Sequence, residues 1–156
     1  MEKNILVALD DSENAMTAVE SLANTFTPDH KVTLFSVVQD TVAICEMYSP
    51  ELSPHFLTEK RDFCSLDHMK KDLIAKAQQK AKEFLIQAGF EEGNIQSKVE
   101  NSKRGVARDI LNESKSGYGT VVLGRRGLSG VQEFFLGSVS NKVINSVKNV
   151  SVFVVE

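Results

Sequence analysis

The chain has little with which to cross a membrane, staple itself together or attract nucleic acid. Its longest uninterrupted apolar run, Ile5–Leu9, is five residues, against the roughly 20 needed to span a bilayer, so no membrane span is expected. Residues Met1–Asn4 lead straight into that run, without the basic segment, longer apolar stretch or small-residue cleavage site of a secretory leader. Only two cysteines occur, Cys45 and Cys64, so a disulfide framework is not indicated and the cytoplasm is the expected location. Eighteen Lys and Arg face 21 Asp and Glu, a net charge of −3 with a pI near 5.7. That balance argues against a general duplex binder, which needs a strongly basic face. The small basic cluster Lys103, Arg104 and Arg108 reads as a solvated face, and no nucleic-acid partner is expected. Two familiar phosphate signatures are missing as well. No GxxxxGK(S/T) occurs, and the turn after the first apolar block holds no glycine, which excludes the P-loop and the dinucleotide fingerprint.

What is present is the composition of one globular domain spanning residues 1–156, 42% hydrophobic and 25% charged. Short apolar blocks alternate with amphipathic stretches. Ile5–Leu9, Val32–Val38, Ile95–Val99, Thr120–Leu123 and Val150–Val155 read as strands. Between them, Ala15, Ala18, Val19, Leu22, Ala23 and Phe26 recur at helical spacing, and further helices are expected from about Asp67 to Ala88, around Val106–Leu111 and around Val139–Val147. The segment Gln39–Leu66 shows no sustained period and is expected to be a flexible insertion, with a helical turn near Thr41–Tyr48. Five strands alternating with four helices predict an α/β fold, a parallel sheet with helices on both faces. In such sheets ligands bind beyond the carboxyl ends of the strands, where strand order reverses.

The candidate chemistry follows the fourth strand. Gly124–Gly130 is glycine-rich, and Gly137-Ser138 opens the last helix. Glycines let backbone approach a ligand closely. Successive amides form anion-binding nests, and a helix start adds unpaired N–H groups with the positive end of its dipole. Ser138 and Ser140 offer hydroxyls, while Arg125 and Arg126 bring positive charge. The competing reading is a surface turn with a capping serine.

The spacing Gly124-x2-Gly127-x9-Gly137-Ser138 resembles the G-2x-G-9x-G-(S/T) motif of the ATP-binding universal stress proteins. Ile5–Glu13 resembles that family's first strand and Asp-x-Ser turn, Leu34–Val38 its second strand and Val150–Val155 its closing strand. The resemblance implies a five-stranded sheet of order 3-2-1-4-5. It also implies ATP, with Mg2+ held mainly through the phosphates. By that resemblance Gly124, Gly127, Gly137 and Ser138 hold ribose and phosphates, and Val139 and Ser140 add phosphate contacts. Asp10 is expected near the adenosine end, with Ala8 in the pocket floor, Val37 against the adenine, and Leu123 and Arg126 in the fourth-strand loop. Two departures stand out: Arg125 replaces a small hydroxyl residue, and Tyr118-Gly119-Thr120 replaces the usual acidic residue before strand four.

Other candidate sites are weaker. Asp10 and Asp11 lack a neighbouring base in sequence and read as helix capping plus one ligand contact. Cys45, His55, Cys64 and His68 form a set that zinc accepts, but without the close-spaced cysteine knuckle. The apolar final strand, at a sheet edge, is an aggregation hazard that self-pairing about a two-fold axis removes. Family resemblance implies the same homodimer. The leading expectation is therefore a cytoplasmic, homodimeric ATP-binding protein acting in stress response or signalling through its nucleotide state. The alternatives are a slow ATP-hydrolysing enzyme and a nucleotide-free interaction protein.

Overall fold

In β1 (Asn4–Ala8) the side chains of Ile5, Leu6 and Val7 are all buried, and they alternate between two cores. Ile5 and Val7 join Ala15, Ala18, Val19 and Leu22 of α1 (Glu13–Thr25), whereas Leu6 joins a second cluster across the sheet. That two-sided burial is what an apolar block without alternation encodes. The computed structural model describes residues 3–47, 51–125 and 136–156. Arg126 and Gly127 therefore lie outside the described residues.

β1 sits at the centre of a parallel sheet with β2 (Lys31–Val38), β3 (Ile95–Asn101), β4 (Thr120–Gly124) and β5 (Ser151–Val155), in the order β3-β2-β1-β4-β5. Ile5 pairs with Val32 on one side and Thr120 on the other. One face is covered by α1 and the C-terminal half of α3 (Pro54–Gln87), the other by α4 (Val106–Glu113) and α5 (Ser138–Ser146). The chain runs from β1 to β2 and β3, then crosses back to β4 on the other flank of β1. The strand order thus reverses between β1 and β4, as the family resemblance implies.

Local chemistry sets the element ends. Ser12 caps α1, its hydroxyl accepting from the Ala15 amide at 3.2 Å. Ser53 caps α3 in the same way through the Phe56 amide, with Pro54 at the first helical position, where a missing N–H costs nothing. Gly105, at φ +100°, makes the left-handed turn into α4. Asp109 then reaches back to accept from the amides of Lys103 and Arg104 at 3.0 and 3.2 Å. Buried Gln78 ties α3 to the sheet by donating to the Leu34 carbonyl and to Ser36 Oγ, at 3.1 and 2.6 Å. Ser36 in turn donates to the Leu9 carbonyl at 2.5 Å, fixing the end of the central strand.

Two expectations need correction in residues 39–66. The long helix begins at Pro54, not near Asp67, while the helical turn expected near Thr41–Tyr48 is present as the short helix α2 (Val42–Cys45). The buried residues of α3 are Ile74, Gln78, Ala81 and Leu85, all in its C-terminal half. The N-terminal half buries no side chain, so it has no apolar period for sequence to display. The helix start also brings Cys64 against Cys45, and the two form a disulfide. A bridge from α2 to the middle of a long helix is invisible in the spacing of two cysteines.

Candidate functional site

A cavity of about 320 Å3 opens at the carboxyl ends of β1, β2 and β4, within the size range of small-molecule sites. Ala8, Val37, Leu123 and Gly124 line it from the strands, and Gly137, Ser138, Val139 and Ser140 from the start of α5. Asp10, Asp11 and Ser12 line it from the β1–α1 turn. The structure thus brings together nine of the eleven residues singled out in the sequence, all but Arg126 and Gly127.

Three helices begin around this cavity, and their starts differ. At α1, Asp10 Oδ1 accepts from the Ser12 amide at 2.9 Å and from the Ser12 hydroxyl, while Ser12 caps the helix. At α4, the Asp109 carboxylate gathers the preceding loop, its Oδ2 also accepting from Ser102 Oγ at 3.1 Å. At α5 the N-cap is Gly137, no side chain among the described residues caps the helix, and no acidic residue lies in its first turn. The Gly137 amide is used, donating to the Arg125 carbonyl at 2.9 Å. The amides of Ser138, Val139 and Ser140 belong to the set that a helix leaves unpaired, and among the described residues nothing accepts from them. The Ser138 hydroxyl is likewise without a described partner. Ser140 differs: its buried hydroxyl donates to the Gly124 carbonyl at 2.7 Å, locking α5 onto the end of β4. Its proton is committed to the scaffold, and its contribution to the cavity is its amide.

The charges divide the same way. Asp10 and Asp11 give the α1 wall its negative charge, and Asp11 Oδ1 is buried without a hydrogen-bond partner. Arg125 turns toward the sheet edge, where it pairs with Glu156 at 2.6 Å. Among the described residues the cation that lines the cavity is Lys70 of α3, one helical turn before buried Ile74, which lines it too. Nothing in the sequence marked Lys70, since the segment that delivers it carries no motif. Phe35, Val106 and Ile110 complete the apolar lining and were also unmarked, being ordinary core residues by pattern.

The cysteine–histidine set does not assemble. Cys45 and Cys64 are bonded to each other, and His55 pairs with Glu59 on the exposed side of α3. Close to the disulfide, Asp67 accepts from Thr41 Oγ1 at 2.6 Å and pairs with Lys71 at 2.9 Å. The Thr41 hydrogen bond, then the Lys71 ammonium, hold its carboxyl below the usual aspartate range.

The sequence profile of the universal stress protein family matches residues 1–156. The chain is 29% identical over 150 residues to universal stress protein YxiE of Bacillus subtilis, covering 92% of each chain. Its fold matches universal stress protein UspA of Lactobacillus plantarum at a TM-score of 0.70, with 20% identity and coverage of 98% and 97%. It matches a universal stress protein in complex with cAMP at 0.64, with 16% identity and coverage of 98% and 95%.

Proposed function

The chain belongs to the universal stress protein family, and on that premise we propose that it binds an adenine nucleotide, ATP with Mg2+, in the cavity between β1 and β4, and acts in stress response or signalling through its nucleotide state. One observation carries the reading: α5 begins at the cavity with no side-chain cap among the described residues and no acid in its first turn. Amides left in that state, at the positive end of a helix dipole, suit a phosphate. Gly137 and Ser138 then face the phosphates, and the Val139 and Ser140 amides extend the same cradle. Apolar Val37, beside the carboxylate of Asp10, suits the adenosine end. The cAMP complex of a protein with the same fold supports adenine nucleotides as the ligand class.

Among the described residues no cluster of three or more His, Cys, Asp or Glu side chains is arranged to hold a metal ion. Mg2+ in this reading arrives on the phosphates, keeping the waters it sheds reluctantly. Calorimetric titration of the purified protein with Mg-ATP tests the proposal. Saturable one-site binding is expected, and mass spectrometry of a denatured extract should find co-purified adenine nucleotide. No heat and no nucleotide would overturn it.

Assembly is part of the proposal. β5 has a strand on one side only, and its residues are Ser151, Val152, Phe153, Val154 and Val155. The opposite edge, β3, carries Gln96, Lys98 and Glu100, the kind of charge that discourages pairing. A two-fold dimer through β5 removes the apolar edge in both copies. Sedimentation should give a dimer at tens of micromolar, and a monomer there contradicts it. Among the described residues no helix is long and apolar enough to cross a membrane. We place the protein in the cytoplasm, where thiol pools keep most cysteine pairs reduced, so the Cys45–Cys64 bond belongs to oxidised conditions. Alkylation of unstressed cells before lysis should then trap both thiols; a protected pair would point to an oxidising compartment.

A further inference from the structure

α3 is 34 residues long, about 51 Å at the rise of an α-helix. β2, the longest strand, has eight residues, about 26 Å. The helix therefore outruns the sheet it packs on, and the burial pattern says which end is in excess: the core holds Ile74, Gln78, Ala81 and Leu85, and nothing before Ile74 is buried. An overhang of five turns would swing freely unless fastened. Two devices fasten it to the same short element. Under oxidising conditions Cys64 is bonded to Cys45 at the end of α2; the second device does not depend on redox state. Three residues on, Asp67 accepts a hydrogen bond from the hydroxyl of Thr41, a residue 3% exposed, and Lys71 donates to that same Thr41 oxygen at 3.1 Å.

What this fastening positions is the turn between Asp67 and Ile74. Lys71 is neutralised there by Asp67. Lys70, next to it, lines the cavity and has no ion pair with any described residue, although Asp10 and Asp11 line the same cavity. Lys70 thus brings to the lining of the cavity a cationic side chain that pairs with no described residue, a counter-charge for an anion. We propose that Lys70 is a phosphate-contacting residue of this site and makes the cavity select for nucleotides by the number of phosphate charges. The assignment rests on the nucleotide reading above and adds to it a ligand group outside the glycine–serine segment.

The chemistry is a point-charge contact. A lysine recognises phosphate as a compact cation on a flexible stem, without the bidentate geometry of arginine. Its effect should therefore grow with the charge of the ligand and survive replacement by arginine. Lys70 is exposed, so its removal should leave the fold intact.

Calorimetric titrations of wild type, Lys70→Gln and Lys70→Arg with Mg-ATP and with AMP form the test. Lys70→Gln should weaken ATP about tenfold, the scale of one charge-assisted hydrogen bond, and AMP less than about twofold. Lys70→Arg should restore ATP binding to within about threefold. Unchanged ATP affinity in Lys70→Gln, equal weakening of ATP and AMP, or no rescue by arginine would each overturn the assignment while leaving the nucleotide reading standing. Wild type that binds neither ligand would overturn that reading, and this inference with it.

Discussion

The starts of α1 and α5 face each other across one cavity and have opposite chemistry. α1 brings its own acceptors: Ser12 caps it, Asp10 holds Ser12, and Asp11 adds a second carboxylate. α5 brings none, since glycine stands at its cap and no acid in its first turn. A helix start that is already satisfied repels further negative charge, whereas an unsatisfied one attracts it. In the proposed reading that difference orients the nucleotide, with phosphates at α5 and the nucleoside toward β1 and β2.

The comparison breaks most visibly at Gly137. On the proposed reading Gly137→Val places a β-branched side chain where the phosphate approaches, and ATP affinity should fall about 100-fold, the upper end of what one lost charged hydrogen bond costs. Circular dichroism should show the fold retained, and normal binding would mean that the phosphates lie elsewhere. The mirror experiment is Ser12→Ala. Loss of that cap should cost about 1 kcal/mol of stability in urea unfolding with little change in ATP affinity, because the proposed reading puts the phosphates at α5 and not at α1. Asp11→Asn sharpens the contrast further. Removing a carboxylate from the negative wall should tighten ATP on the order of threefold and adenosine hardly at all, in parallel titrations.

The smallest expected effect lies on the overhang of α3. Asp67 titrates below its ordinary value of 3.8 because Thr41 and Lys71 favour its charged form. A carboxyl depressed on folding stabilises above its unfolded pKa and loses that contribution as pH falls through the folded one. Acidification below 3.8 should therefore loosen the α2–α3 contact, raising hydrogen exchange near residues 41 and 67 before exchange rises in β1. Simultaneous opening would show that this contact is no separate unit.

Much of this architecture was legible in the residues. The apolar blocks at Ile5, Val32 and Thr120 marked strands because burial on both faces makes them continuously apolar, whereas the block at Val150 marked one while staying largely unburied at the sheet edge. The Gly124 and Gly137-Ser138 spacing marked the α5 wall because only glycine and small residues permit that approach. Lys70, Phe35, Val106 and Ile110 reach the cavity through tertiary packing, and their local patterns say only helix or strand. The α3 overhang was illegible for a physical reason, since an unburied helix needs no apolar period. Ser140 shows a subtler gap. Its place in the wall was readable, but the Gly124 carbonyl that takes its proton belongs to a strand 16 positions earlier.

Amide shift mapping tests the central claim most directly. Titrating 15N-labelled protein with Mg-ATP should move the amides of Ser138, Val139 and Ser140 most, with Ser12 and Ala15 nearly still. Largest shifts at Ser12 and Ala15, or none at either helix start, would contradict it.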